Sequence, residues 1–329
     1  MKQSYYFFSS GVLSRKDNTL RLTTEDGHTS DIPIERVADI FCFGEISVNS
    51  KLLSMLGKYG ICLHFFNFFE NYIGTYYPRE SLISGDLHVK QAAAYIDSDK
   101  RLSIAKGFLT SGVYNMTRNL RYYSERGKQT AAVADEIKSL IPGLERANDI
   151  NELMGAEGNI RRAYYSCWNE IMPAAQFESR VRNPPDNMVN SLISFCNMLI
   201  YSTCVSELYA TQLDPSIGFL HSPGQRRFSL SLDLAEVFKP LLADRLIFSL
   251  VNKRMIDESA FAKDSNSMLL KDDFRKIIVS EYDKILKRTI KHRALGREVS
   301  YRRLIRLDAY KLVKTLLGEQ SFQGFRIWW

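Results

Sequence analysis

The chain has 329 residues, 45% of them hydrophobic and 12% aromatic, so it can bury an ordinary core and has the length of about two domains. It contains no continuous apolar run of the roughly 18 residues that a membrane helix requires, and no secretory segment follows the N-terminus. We therefore expect a cytoplasmic protein with no membrane partner. The net charge is +7, and the stretch from Lys271 to Lys314, with 14 basic and 6 acidic residues, holds all of the excess.

The first eighty-odd residues alternate β-rich runs with turn signals, which predicts a small β-domain over residues 1–85. Glu25-Asp26-Gly27 has the composition of a hairpin turn, and Ser50–Tyr59 has leucines at helical spacing. The predicted strands are Tyr5–Phe8, Thr19–Thr24, Ile32–Ile34, Val37–Phe43, Ile61–Phe68 and Tyr72–Tyr77.

After Pro78 the periodicity becomes that of helices, and the fold class is therefore α+β, with a larger all-helical domain over residues 86–329. Five cysteines lie among apolar neighbours with no C-x-x-C pair, which predicts reduced core residues. The predicted helices are Val89–Tyr95, Asp99–Glu125, Thr130–Ser139, Ile150–Trp168, Asn187–Leu208, Leu234–Phe248, Lys271–Arg288 and Tyr301–Leu317.

Glu157 lies between Gly155 and Gly158 inside a predicted helix, where each glycine costs about 1 kcal/mol relative to alanine. The missing side chains would let a phosphate backbone or a neighbouring helix come close to this acid. Arg161 lies one turn further on, so a surface ion pair with Glu157 explains the segment equally well and, taken alone, is favoured.

The segment from Gly218 to Pro240 places His221 before a Pro-Gly turn and Asp233 and Glu236 on one face of a helix start. The structural alternative is that Ser231 or Asp233 caps the helix and Glu236 completes a capping box. Several acids and one histidine suit Mg2+ or Mn2+, and a cation held with open positions polarises a phosphoryl oxygen.

Other catalytic patterns are absent. Gly107 and Gly112 have the spacing of a phosphate-binding loop, but Val113 stands where lysine is needed, so we do not expect ATP to be used. The G-x-S-x-G motif and zinc-finger spacings are also missing.

The order of these features, from about Tyr5 to Phe325, resembles the Cas1 family, the CRISPR-associated adaptation endonucleases and integrases. The resemblance is strongest in Gly218–Pro240, where G-F-L-H, a turn, a basic pair, D-L-x-E and F-K-P follow one another. Pro184-Pro185-Asp186 with Asn190, and Tyr301-Arg302-Arg303-Leu304-Ile305, match two further signatures. The turn after His221 departs from the Gly-Arg-Pro form common elsewhere in the family.

The resemblance implies that Glu157, His221 and Glu236 are the catalytic metal ligands and that Asp233 is an auxiliary acid. It also implies an N-terminal β-sandwich that mediates homodimerisation, and a small partner, Cas2, that bridges two dimers. The substrates would be double-stranded DNA, both the spacer precursor and the CRISPR repeat.

Basic residues near the acids and in the C-terminal stretch are the expected DNA contacts, whereas Tyr164 and Tyr165 are more simply explained as core residues. Two alternatives remain: a DNA repair nuclease that acts mainly by hydrolysis, and a DNA-binding scaffold without catalysis. The C-terminal pair Trp328-Trp329 is expected to dock on the helical domain. The predicted DNA contacts are Arg161, Arg162, Arg182, Arg226, Arg227, Lys239, Arg245, Lys287, Arg288, Lys291, Arg302 and Arg303.

Overall fold

The chain folds into two compact units, Met1–Ile83 and Ser84–Trp329. The computed structural model describes residues 2–67, 69, 71–80, 82–181, 184–224, 228–264 and 267–328, with the backbone alone at 263, 264 and 267.

The first unit contains two four-stranded sheets, with strand orders β1-β5-β7-β8 and β4-β3-β2-β6. The predicted turn at Glu25-Asp26-Gly27 joins β3 to β4, and Gly27 has a φ of +82°, which favours glycine. The elements are β1 (Gln3–Phe7), β2 (Gly11–Lys16), β3 (Thr19–Thr24), β4 (Thr29–Pro33), β5 (Val37–Cys42), β6 (Ile46–Val48), α1 (Ser50–Tyr59), β7 (Leu63–Phe66) and β8 (Tyr72–Tyr76).

Both sheets and α1 contribute side chains to one hydrophobic core, so the unit is a β-sandwich, as the family resemblance implied. Leu13 and Leu20 come from one sheet, Ile40 and Leu63 from the other, and each is fully buried. Strands β2 and β6 were not predicted. Strand β6 has only three residues and pairs in parallel with β2. Local sequence does not indicate such a long-range contact.

The second unit is mostly helical. It also contains two short hairpins, β9-β10 and β11-β12, so the expectation that it is all-helical was wrong in this detail. Its elements are α2 (Gly85–Ile96), α3 (Ser98–Ser124), α4 (Ala131–Arg146), α5 (Ile150–Ser166), α6 (Trp168–Ile171), α7 (Met188–Tyr209), α8 (Ser229–Lys239), α9 (Arg245–Asn252), β9 (Phe261–Asp264), β10 (Ser267–Leu270), α10 (Asp272–Lys287), β11 (Thr289–Lys291), β12 (Glu298–Ser300) and α11 (Tyr301–Leu316).

Helix α7 forms the centre of this unit. Its 22 residues are long and apolar enough for a membrane span, with a mean hydropathy of 1.4 over an 18-residue window, but 89% of that window is buried within the protein. Glu207, near its end, is 1% exposed and accepts from Arg302 at 2.6 Å and from Arg306 at 2.7 Å. These bonds tie α7 to α11, because a buried carboxylate requires charged partners.

A single helix was predicted over Leu234–Phe248, and the structure divides it into α8 and α9. The separating segment, Pro240–Asp244, is a π-helical turn. Proline has no amide hydrogen to donate to the helix, which explains an irregularity at this point. The carbonyl oxygen of Pro240 accepts a hydrogen bond from Asn119 of α3, at 2.6 Å.

The C-terminal peptide docks on the helical unit, as expected. Phe325 donates its amide to Asp308 at 2.5 Å, and Ile327 donates its amide to Asn115 at 3.0 Å. Trp328 packs against Phe325 with ring centroids 5.3 Å apart, whereas Trp329 lies outside the described residues.

All five cysteines are buried and free, which confirms that they are reduced core residues. Burial raises the pKa of the Cys167 thiol to about 12.

Helices α3 and α8 pack so closely at Gly112 that a side chain there would clash. A Cβ at Gly112 would lie 2.8 Å from the carbonyl oxygen of Glu236. We predict that Gly112→Ala lowers the free energy of unfolding by about 1–3 kcal/mol, measured by urea denaturation. Gly155→Ala is the matched control, since a Cβ on that α5 glycine meets nothing within 4 Å. Equal stability of the two variants would contradict the close packing of α3 on α8.

Candidate metal and DNA-processing site

Glu157 and Arg161 lie one turn apart on α5 and form the ion pair that the sequence suggested. The pair is not on the surface, because the side chains of Glu157 and Arg161 are only 20% and 14% exposed. Arg161 also donates from Nη2 to Oε2 of Glu236 on α8, so one guanidinium bridges two carboxylates from separate helices. The predicted ion pair between Glu157 and Arg161 is therefore present. The prediction did not include the second bond of Arg161, to Glu236.

Glu236 is the more buried of the two acids, with a side chain 9% exposed. Its second oxygen, Oε1, accepts from Nζ of Lys239 at 2.6 Å. Burial alone would raise the pKa of Glu236, but the charges of Arg161, Lys239 and His221 outweigh it and lower the pKa to about 2. The acid is therefore ionised at neutral pH.

Arg161 shows the reciprocal effect. Burial alone would lower the pKa of its guanidinium, but the negative charges of Glu236 and Glu157 prevail and raise the pKa well above its usual value. Two carboxylates thus converge on one point of positive charge, which is the arrangement that a metal cation also needs.

Asp233 organises the loop that carries His221. Its carboxylate is fully buried and accepts the backbone amides of Phe219 at 2.6 Å, Leu220 at 3.0 Å and His221 at 2.9 Å. The same carboxylate contacts Nδ1 of His221 at 2.8 Å. Four donors are therefore held by one acid, and the G-F-L-H segment is fixed to α8.

The capping alternative for Asp233 is wrong, because α8 begins earlier than the sequence suggested. Its N-cap is Phe228, with no side-chain hydrogen bond, and Asp233 lies inside the helix. Gly218 permits the close approach of the loop, since a Cβ there would lie 2.9 Å from Oδ2 of Asp233.

The contact with Asp233 determines how His221 presents its ring. A carboxylate only accepts hydrogen bonds, so Nδ1 is the donor and, in the neutral ring, Nε2 carries the free lone pair. The His221 side chain is 29% exposed, so the ring is not enclosed by the protein. A carboxylate that orients a histidine in this way is the usual second partner of a metal-binding imidazole.

The donor set of Glu157, Glu236 and His221 fits a divalent metal such as Mg2+ or Mn2+ by its chemistry. Among the described residues, however, no three His, Cys, Asp or Glu side chains are close enough to hold an ion together. The guanidinium of Arg161 lies between the two glutamates and binds one carboxylate oxygen of each. Asp233 has both oxygens engaged by the loop, so the structure gives it the role of holding His221.

One acid beside this cluster was not predicted. Asp244 ends the π-helical turn, is 4% exposed, and has an oxygen, Oδ2, with no hydrogen-bond partner among the described residues. Burial raises the pKa of Asp244 to about 7, although the positive charge of Arg161 opposes the shift. In the sequence, the feature that could have pointed to Asp244 is a lone acid that follows Pro-Leu-Leu-Ala in an apolar helical run.

Of the two tyrosines of α5, Tyr164 is a core residue, as expected, and Tyr165 is half-buried. Tyr164 is fully buried and packs edge to face on Trp168 with ring centroids 5.8 Å apart. Tyr165 packs on the same tryptophan at 5.0 Å.

The structure distributes the predicted DNA contacts over several places. Lys239 joins Arg161 at the glutamates, and Arg162 is exposed on α5, where it donates to Asn159 at 3.1 Å. Arg302 is committed to the buried Glu207.

The remaining basic candidates of the C-terminal stretch are exposed. They lie at or beside the β11-β12 hairpin: Lys287, Arg288, Lys291 and Arg303. Lys287 forms an ion pair with Asp283 at 2.5 Å. Arg182, Arg226 and Arg227 lie outside the described residues, so their predicted role stays a prediction.

Comparison with known proteins identifies the family. The family described as CRISPR associated protein Cas1 matches residues 5–284. A protein of Fusobacterium nucleatum named CRISPR-associated endonuclease Cas1 is 49% identical over 100% of this chain and 98% of its own. A solved Cas1 protein from Thermotoga maritima is 42% identical, with a TM-score of 0.88 over 98% of this chain and 100% of its own.

A casposase bound to an integration product has the same fold at 20% identity, with a TM-score of 0.86 over 98% of this chain and 92% of its own. The protein is thus a two-unit α+β chain whose helical unit contains clustered acids and an anchored histidine. It belongs to the Cas1 family of CRISPR-associated proteins.

The anchoring role of Asp233 is testable by substitution. Asp233→Asn retains one acceptor oxygen but turns an amide group towards the backbone donors, so we expect a loss of about 2–4 kcal/mol in the free energy of unfolding. Hydrogen exchange at the amides of Phe219, Leu220 and His221 should accelerate. Glu136→Gln, which changes an exposed acid of α4, is the control, since that side chain makes none of these bonds. Unchanged exchange in Asp233→Asn would show that the carboxylate does not hold the loop.

Proposed function

We propose that this protein is a metal-dependent DNA endonuclease and integrase that inserts new spacer DNA into CRISPR repeat arrays. The observation that supports it best is the cluster in which Asp233 orients His221 while Glu157 and Glu236 share one positive charge. The name of the Fusobacterium relative, an endonuclease, agrees with this function.

Glu157, His221 through Nε2, and Glu236 are the proposed metal ligands. A bound Mg2+ or Mn2+ would polarise a phosphoryl oxygen and activate a hydroxyl or a water molecule. The imidazole favours Mn2+, because Mg2+ prefers a shell of oxygen ligands. Asp233 keeps the ring of His221 in the required tautomer and position.

In the proposed reaction, the 3′-hydroxyl of a short DNA fragment attacks a phosphodiester of the repeat. A new bond forms between phosphorus and the attacking oxygen, and the bond from phosphorus to the 3′-oxygen of the repeat breaks. The attacking hydroxyl loses a proton, and the departing oxygen gains one. One phosphodiester replaces another, so no ATP is consumed, in agreement with the missing phosphate-binding loop.

Arg161 and Lys239 would change partners during this reaction. Both cations now bind the glutamates, and a metal ion would take over that role. Their positive charges would then be available to the phosphate of the substrate, for which a guanidinium offers paired donors.

The exposed basic residues at the β11-β12 hairpin would follow the DNA backbone, since phosphate contacts position a protein without reading sequence. Arg162, Arg182, Arg226, Arg227, Arg245, Arg302 and Arg303 complete the proposed contacts. Arg302 would contact DNA only while it remains bonded to Glu207.

We further propose that the protein acts in the cytoplasm as a homodimer formed through the β-sandwich. Two such dimers would be bridged by Cas2. The family resemblance supports these assignments, and the net charge of +7 suits a polyanionic substrate.

A strand-transfer assay distinguishes joining from hydrolysis. A labelled fragment with a free 3′-hydroxyl, a supercoiled plasmid carrying the repeat, Cas2 and Mn2+ should give a covalently labelled plasmid, and chelation should abolish the product. Cleavage without joining would indicate a repair nuclease instead of an integrase.

Substitution of the ligands tests the catalytic role. We predict that His221→Ala and Glu157→Ala each lower strand transfer by about 100-fold or more while DNA affinity is retained. Glu136→Ala, an exposed acid of α4, should behave like the wild type. Full activity in either ligand variant would refute the assignment of that residue as a catalytic metal ligand, whereas no activity in the wild type with metal would favour the scaffold that binds DNA without catalysis.

A further inference from the structure

A second basic cluster lies in the helical unit, away from the glutamates. It forms a pocket of about 400 Å3 lined by Arg118, Tyr122, Glu125, Arg126 and Arg245. Three of its five lining residues are arginines: Arg118 lies on α3, Arg126 in the turn that follows α3, and Arg245 at the start of α9. The DNA contacts predicted from the sequence included only Arg245.

The tyrosine at the centre arranges two of these arginines. The guanidinium of Arg126 lies 3.6 Å from the centroid of the Tyr122 ring, and that of Arg245 lies 4.9 Å from it. Arg126 also donates to the carbonyl oxygen of Tyr122 at 3.1 Å, which fixes its position at the end of α3. Because two cations already face the ring, a nucleobase stacked on it would have to displace one of them.

Arg118 supplies the third positive charge, and one of its hydrogen-bond donors has no partner in the described part of the chain. Its Nε is buried and has no hydrogen-bond partner among the described residues. Neither Arg118 nor Arg126 forms an ion pair with Glu125 or another acid in the described parts of the chain. A buried donor without a hydrogen-bond partner lowers the stability of the folded protein. An anion with several oxygens could accept a hydrogen bond from this donor.

The helix end alone would not attract an anion. The pocket lies at the C-terminus of α3, where carbonyl groups carry partial negative charge. Binding of an anion therefore depends on the arginines, whose planar donor groups match the geometry of a phosphate.

The pocket is separate from the candidate metal site, and side-chain contacts connect α3 to the elements on either side of it. Tyr123, next to Tyr122, packs on Phe248 at 5.4 Å, and Phe248 packs on Trp168 at 4.8 Å. On the inner side of α3, Asn119 bonds to the hydroxyl of Tyr164 at 3.2 Å. Arg245 directly follows Asp244 in the chain.

We propose that Arg118, Arg126 and Arg245 form a phosphate-binding subsite, separate from the candidate metal site, that holds one phosphate group of the DNA substrate. The inference rests on the proposed action on DNA. The phosphate is either an internal phosphodiester or the 5′-terminal phosphate of the fragment, since both present the same oxygens to the guanidinium groups.

Equilibrium binding to short duplexes tests this subsite. The full-length protein is titrated by fluorescence anisotropy, in EDTA, against labelled duplexes bearing either a 5′-phosphate or a 5′-hydroxyl, over a series of salt concentrations. Arg118→Gln and Arg126→Gln should each weaken binding by about tenfold and reduce the salt slope by about 0.9. Arg121→Gln is the matched control, because it removes an exposed arginine of α3 that does not line the pocket.

The two duplexes distinguish the sources of the phosphate. A loss confined to the 5′-phosphorylated duplex identifies the terminal group, and an equal loss with both identifies an internal phosphodiester. Affinity and salt slope identical to those of Arg121→Gln with both duplexes would overturn the subsite. Thermal melting of each variant verifies folding, and Arg118→Lys, which keeps the charge, should recover part of the affinity if Arg118→Gln is unstable.

The binding measurement does not depend on catalysis, so the subsite and the proposed function can fail separately. If the wild type joins DNA but the pocket variants bind normally, the subsite is refuted and the proposed function stands. If pocket-dependent binding is found and no joining or cleavage occurs with metal, the subsite stands and the proposed function fails.

Discussion

The balance of charge around Arg161 is the constraint on which the catalytic part of the molecule depends. Glu157 and Glu236 are largely withdrawn from water, and two buried negative charges are tolerated only with compensating positive charge. Arg161 and Lys239 supply it and hold Glu236 ionised, with a pKa of about 2. A metal ion held by the same acids would supply positive charge at the same place.

The fold brings these charges together through close helix packing and one anchored loop. Gly112 lets α3 approach the backbone of α8 at Glu236, and Asn119 joins the same helix to Tyr164 on α5. Asp233, one turn before Glu236, holds the loop that carries His221. Three segments distant in sequence therefore share a small part of the helical core, and a shift of α8 would move two of the proposed ligands together.

Much of this arrangement could be predicted from sequence where the signal was local or carried by a family signature. The change from β-rich runs to helical periodicity predicted the two-part fold, and the spacing of Asp233 and Glu236 predicted that both lie on one face near a helix start. Partnerships between distant segments could not be read in this way. The bond from Arg161 to Glu236, the four donors on Asp233 and the short strand β6 depend on tertiary contacts that leave no periodic trace. Asp244 was not predicted, because a lone acid in an apolar run has many structural explanations.

We propose that Glu157, His221 and Glu236 bind one divalent metal and that Arg161 yields its place to it. Crystals soaked in Mn2+ and measured at the manganese absorption edge test this directly. We expect one anomalous peak within about 2.0–2.4 Å of a carboxylate oxygen of each glutamate and of Nε2 of His221, with the guanidinium of Arg161 moved aside. A peak bound by other residues, or none while Arg161 still bridges the two glutamates, would contradict it.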